Sequence, residues 1–261
     1  MTRREAKERL RSDRALIGTM FLEVASPGTC QMIKQAGYDF VIFDTEHSWY
    51  GVETIAGFIR TARDIGLLVI VRAPAFQGHW LARYLDLGAD GLVCPHVDDA
   101  EQAADIIRQT KYPPVGERGM ANNIAHDEYV ARPMLDFCRE ADEEILVIAQ
   151  IETAAGHANR EGILSTPGID AVFIGPNDLS LSMGFPGQHS HPQVVQAMED
   201  IFESARRNNV APGLHGFTVE ATQNWLNKGA RFVCHRADIS LIIDGSRRDL
   251  EILRQHPALG E

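Results

Sequence analysis

The chain has 261 residues, 44% hydrophobic and 23% charged, with a net charge of −11. That is enough material to bury a large core, and the acidic balance without a basic stripe excludes a protein that grips nucleic-acid phosphates. No run approaches the ~18 apolar residues of a membrane span; residues 1–14 are charged and lack a signal peptide's apolar stretch, and Cys30, Cys94, Cys138 and Cys234 form no C-x-x-C pair, so a cytoplasmic protein with reduced thiols is expected.

In chain order, short apolar runs alternate with amphipathic stretches. Strands are predicted at 15–21, 40–44, 67–72, 91–95, 145–152, 171–175, 210–214 and 231–235. Helical periodicity falls between them, at 27–36, 52–65, 78–87, 98–110, 192–208 and 219–228. Gly37, Gly88, Gly168 and Gly229 sit where a helix should stop, and the first three open Gly-x-Asp units that lead into a strand. Strands that are apolar at nearly every position need cover on both faces, which means a parallel sheet wrapped by helices. Eight such units predict an α/β (β/α)8 TIM barrel, a single domain over residues 1–261, with its chemistry at the carboxyl ends of the strands. An open doubly wound sheet is the alternative, but no G-x-G-x-x-G follows the first strand. Residues 111–143 are too long for an ordinary connection and are expected to form a functional excursion with some helix, over or beside the barrel mouth.

Two carboxylates close successive strands about 26 residues apart, Glu152 and Asp178. A carboxylate just past a buried strand is costly unless something positive meets it, and two on adjacent units converge naturally on one divalent ion. Gln150 lies two residues before Glu152 and so shares its face. Gly175, Pro176 and Asn177 precede Asp178 at a helix start whose backbone N–H groups would cradle an anion. The plainer alternatives are a helix cap or an arginine partner for Glu152, and an N-cap role for Asp178. Arg72 ends the third strand in an apolar setting and needs an anion, either a protein carboxylate or a substrate oxygen such as an enolate. Asp44 and His47 become neighbours if the chain turns helically after the second strand, which would prepare His47 as a general base. His47 is alternatively a metal ligand or a surface histidine, and Glu46 a support for the metal's water shell. None of the four lysines (Lys7, Lys34, Lys111, Lys228) ends an apolar strand, which argues against an imine mechanism.

Six motifs in order give the chain a wider resemblance. They are Phe43-Asp44-Thr45-Glu46-His47, Val71-Arg72-Ala73-Pro74, Arg83-Tyr84-Leu85-Asp86-Leu87-Gly88-Ala89-Asp90-Gly91, Tyr112-Pro113-Pro114-Val115-Gly116-Glu117-Arg118-Gly119, Gln150-Ile151-Glu152-Thr153 and Phe173-Ile174-Gly175-Pro176-Asn177-Asp178-Leu179-Ser180. Over most of its length the chain resembles the HpcH/HpaI aldolases, metal-dependent (class II) pyruvate aldolases on a barrel of the phosphoenolpyruvate/pyruvate-domain type. The resemblance implies that Glu152 and Asp178 bind Mg²⁺, Mn²⁺ or Co²⁺, a choice consistent with hard oxygen donors. It further implies that a 4-hydroxy-2-oxo acid is cleaved reversibly to pyruvate, or an analogue such as hydroxypyruvate, and an aldehyde. A metal-stabilised enolate is held by Arg72, with the acid/base acting through Asp44 and His47 and with Gln150 positioning metal or substrate. It also implies aromatic or sugar acid catabolism and a hexamer, a trimer of dimers, that exchanges the last helix, about 240–255. The chain departs from the family pattern around His126, His215, His235 and Arg236; each of these either shapes the far end of the pocket or is a rim or structural residue. The rival readings are an oxaloacetate decarboxylase, an acyl-CoA lyase of the citrate or malyl type, and a non-catalytic binding barrel.

Overall fold

The computed structural model describes residues 1–76 and 79–259. Its strands are β1 (Leu16–Phe21), β2 (Phe40–Asp44), β3 (Leu68–Arg72), β4 (Gly91–Cys94), β5 (Leu146–Ile151), β6 (Ala171–Ile174), β7 (Ala211–Gly216) and β8 (Phe232–Ala237). They pair in parallel in sequence order and close with β8 beside β1, so the expected barrel is present with all eight strands where the apolar runs placed them. Gly37, Gly88, Gly168 and Gly229 all adopt positive φ, between 92° and 103°, the left-handed helix stop that side chains avoid. Helices Gly28–Gln35, Val52–Asp64, Trp80–Asp86, Ala100–Thr110, Pro192–Arg207 and Val219–Asn227 match the amphipathic stretches; Gly78, the first residue of the third, lies outside the described residues.

Alternation divides the strand side chains into two cores. Phe40, Ile42, Leu68, Ile70, Leu146, Ile148, Phe173 and Phe232 fill the barrel interior, while Val41, Phe43, Val69, Val71, Val147 and Val172 pack outward against the helices. A helix absent from the periodicity reading, Arg3–Arg11, seals the amino-terminal end by adding Ala6 and Leu10 to the interior core.

That helix also answers the Gly-x-Asp repeat. Asp39, Asp90 and Asp170 each accept the backbone N–H of a neighbouring strand, from Ile17, Val69 and Val147 at 2.9–3.0 Å. Each also meets one cation of the helix: Arg9 on Asp39 at 2.8 Å, Arg3 on Asp90 at 2.7 Å, and Lys7 on Asp170 at 2.9 Å. These three carboxylates, buried or half-buried, are therefore each paired with a cation.

The excursion at 111–143 runs beside the barrel. It holds a 3-10 turn at Ala125–Asp127 and leads into the helix Met134–Glu144. It is tied to the flank by Arg63 on the Ala125 carbonyl at 2.9 Å, and to the amino-terminal helix by Arg4 on Glu144 at 3.3 Å.

Lys7 and Asp170 are both largely buried, so Lys7→Met should strand a carboxylate and cost about 3 kcal/mol. Urea unfolding followed by circular dichroism reads that loss.

Candidate active site

At the carboxyl ends of the strands charge is handled differently. In the β2–β3 register Asp44 lies directly beside Arg72. Arg72 Nε and Nη2 reach Asp44 Oδ1 and Oδ2 at 2.8 and 2.6 Å, a bidentate pair in which Asp44 is 0% and Arg72 6% exposed. Burial works against the guanidinium's charge, but Asp44, Glu46 and Glu152 together hold its pKa above the ordinary value. Arg72 Nη1 keeps no protein partner among the described residues.

This corrects the Asp44–His47 expectation. The chain after Asp44 bends without forming a helix, and Ser48 Oγ donates to the Asp44 carbonyl. Both Asp44 carboxylate oxygens are taken by Arg72, and Oδ1 also accepts the Glu46 N–H at 2.9 Å. His47 instead lies with Nε2 3.8 Å from Glu46 Oε2, its ring 57% exposed.

Glu152 follows β5 at 1% exposure. Gln150, on the same face as expected, donates its amide to Glu152 Oε2, and the His96 N–H donates to Oε1 at 2.9 Å. Removal from water pushes the Glu152 carboxyl above the usual carboxylate range; the hydrogen bonds from Gln150 and His96 oppose this, and Glu46 adds to it. Gly175 makes room: a Cβ there would lie 2.6 Å from Glu152 Oε2.

His96 is a residue the sequence reading missed. It follows β4 with a left-handed backbone, φ 54°, and its ring spans two acids, Nε2 3.1 Å from Glu46 Oε1 and Nδ1 3.2 Å from Glu152 Oε1. Its position just past the strand-ending Cys94-Pro95 was the available signal, since polar residues after barrel strands face the mouth. Glu46, His96 and Glu152 bring ligating atoms within 4.8 Å of one another. Asp178, in the first turn of the helix Pro176–Ser182, is not part of that trio. It lines the adjoining cavity of about 250 Å³ with His47, Arg72, Gly175, Pro176, Asn177 and His215.

The donor set fits a divalent cation. Three carboxylates, Asp44, Glu46 and Glu152, crowd one guanidinium, Arg72, and Glu46 Oε2 and Gln150 Oε1 are buried without a hydrogen-bond donor. With the carboxylates ionised and His96 counted as neutral, the formal charge of this group is −2, and one divalent ion at Glu152 would balance it.

Of the remaining candidates, His215 alone lines the cavity. His126 is buried on the flank against Asp86, Arg118 and Phe137, with Nδ1 3.4 Å from Asp86. His235 bonds Thr222 Oγ1 at 2.9 Å, and Arg236 is held by the Phe217 carbonyl and Asp244.

The family model described as HpcH/HpaI aldolase/citrate lyase matches residues 18–244. The chain is 32% identical over 241 residues to the hydroxypyruvate/pyruvate aldolase of Pseudomonas aeruginosa, covering 92% of this chain and 89% of that protein. It is 33% identical over 240 residues to the 4-hydroxy-2-oxo-heptane-1,7-dioate aldolase of Salmonella arizonae, covering 92% and 90%. The crystal structure of an HpcH/HpaI aldolase from Desulfitobacterium hafniense DCB-2 superposes with a TM-score of 0.92 at 30% identity, covering 98% of both chains. Barrel, acidic mouth and these likenesses define an enzyme of the aldolase type, a lyase. The chain belongs to the HpcH/HpaI aldolase/citrate lyase family.

Asp44→Asn should leave Arg72 buried with half its pairing and lower stability by about 3 kcal/mol, whereas His47→Ala should stay within about 0.5 kcal/mol of wild type. Urea unfolding of the two variants separates an arginine partner from a histidine partner for Asp44.

Proposed function

We propose that the protein is a class II aldolase that reversibly cleaves 4-hydroxy-2-oxo acids to pyruvate, or hydroxypyruvate, and an aldehyde. The observation that carries the reading is the undercompensated cluster of Glu46, His96 and Glu152 beside Arg72, at the edge of a cavity large enough for a small oxo acid. Glu152 would hold a divalent ion, with Glu46, His96 and Asp178 the other donors at the mouth. Mg²⁺, Mn²⁺ and Co²⁺ all suit mainly carboxylate oxygens. When bound, such an ion supplies Lewis-acid polarisation of a 2-oxo group.

The chain's own residues do the rest. Asp44 locks Arg72 by two hydrogen bonds, so Nη1 is presented without rotamer freedom to an enolate oxygen. His47, which lines the cavity beside Glu46, would serve as the base for a C3 proton, directly or through one water. Gln150 holds Glu152 in place, and Gly175 with Pro176 forms the floor against which the oxo acid lies.

The same reading takes the protein to be a cytoplasmic homo-oligomer, a hexamer built as a trimer of dimers. What supports assembly is the terminal helix Asp238–Leu253, which leaves Ile242 56%, Ile252 62% and Leu253 54% exposed. Among the described residues no helix is long and apolar enough to cross a membrane.

Deuterium exchange at C3 of pyruvate, followed by NMR in D₂O, tests enolate formation without an aldehyde. Exchange should vanish with EDTA, return with Mg²⁺, Mn²⁺ or Co²⁺, be lost in Glu152→Ala, and fall about 100-fold or more in Arg72→Lys. Exchange that survives EDTA and Glu152→Ala contradicts the proposal.

A further inference from the structure

The wall of the cavity away from Glu152 meets its contents with almost no charge. Met20, Leu22, Phe217, Ala237 and Ile239 supply apolar surface there. The wall is built firmly: Asp238, 2% exposed, accepts the N–H groups of Leu22, Glu23 and Val24 at 2.8–3.2 Å and that of Ile239 at 2.9 Å. One buried carboxylate thus fixes the loop after β1 against the start of the terminal helix.

Among the described residues, the cations near this wall are engaged elsewhere. Arg236 points its Nε at the Phe217 carbonyl, 3.3 Å away, and its Nη2 at Asp244, 3.1 Å away. Arg72 is committed to Asp44 on the oxo-acid side. His215 lies 4.9 Å from the Phe217 ring, and removal from water together with Arg72 pushes its pKa down to about 4, so it is neutral at pH 7. His189 stacks on Phe217 at 4.7 Å and meets Asn177 Oδ1 at 2.7 Å, and burial lowers its pKa as well. His47, the remaining basic side chain of the lining, sits beside Glu46 at the other end.

We propose that this wall receives the aldehyde, and that it selects a short acceptor with an uncharged tail over one that ends in a second carboxylate. The inference rests on the aldolase reading and names the acceptor class of the same site. A carboxylate pressed against Met20, Leu22, Phe217 and Ile239 would lose its water and gain no partner. A methyl group in the same place is simply buried. A neutral His215 adds a hydrogen-bonding edge that suits a hydroxyl and does not select for an anion.

Butanal and succinic semialdehyde make a matched pair of probes, since both have four carbons and differ in a terminal methyl against a terminal carboxylate. With pyruvate and Mn²⁺, kcat/KM for addition should favour butanal by about 30-fold or more. Ile239→Arg should shrink that ratio about tenfold, and Ile239→Gln, equally polar but uncharged, should not. Equal rates, or a preference for succinic semialdehyde, in a wild-type preparation that exchanges the C3 protons of pyruvate overturns the acceptor assignment alone. A preparation that shows no metal-dependent exchange overturns the aldolase reading and this inference with it.

Discussion

The constraint on which the molecule turns is an imbalance of charge at one end of the barrel. Asp44, Glu46 and Glu152 share the single guanidinium of Arg72 in surroundings nearly closed to water. At the other end Asp39, Asp90 and Asp170 each have their own cation from the first helix. The two ends bury the same kind of group and settle it oppositely. Complete pairing makes the amino-terminal end a source of stability; deficient pairing leaves the mouth with a standing attraction for a divalent ion.

Packing keeps the imbalance from relaxing. Gln150 and the His96 N–H grip Glu152 from two sides, and the missing side chain of Gly175 leaves room for its Oε2 beside β6. Asp44 is equally fixed, because its two oxygens are consumed by Arg72 and its carbonyl by Ser48. The left-handed backbone at His96 is a local strain of the kind that persists where surrounding contacts hold it, and here those contacts are two carboxylates. Glu152 is therefore positioned before any ligand arrives, which is the condition for electrostatic catalysis at small reorganisation cost.

Much of this was legible in the chain. Eight runs such as Val41-Ile42-Phe43 and Leu68-Val69-Ile70-Val71 state their own burial on both faces, and glycines at 37, 88, 168 and 229 mark the helix stops. Glu152, Gln150 and Arg72 could be assigned to the mouth because they end apolar strands. Partnership was less legible. Asp44 is three residues from His47 but bonds Arg72, 28 residues away, because strand register brings distant ends together and i, i+3 proximity holds only inside a helix. His96 passed unnoticed because a lone histidine after a proline carries no periodic signal. The helix Arg3–Arg11 was hidden by its charges, whose purpose shows only when the aspartates they meet are in place.

The proposed metal site rests on the mouth's excess of two formal negative charges over Arg72, which one divalent ion at Glu152 would balance. Titration of the EDTA-stripped protein with Mn²⁺, read by electron paramagnetic resonance, tests it directly. One site per chain in the wild type, weakened by about tenfold or more in Glu152→Gln, is the predicted result. No saturable Mn²⁺ binding, or a site indifferent to Glu152→Gln, would contradict the claim.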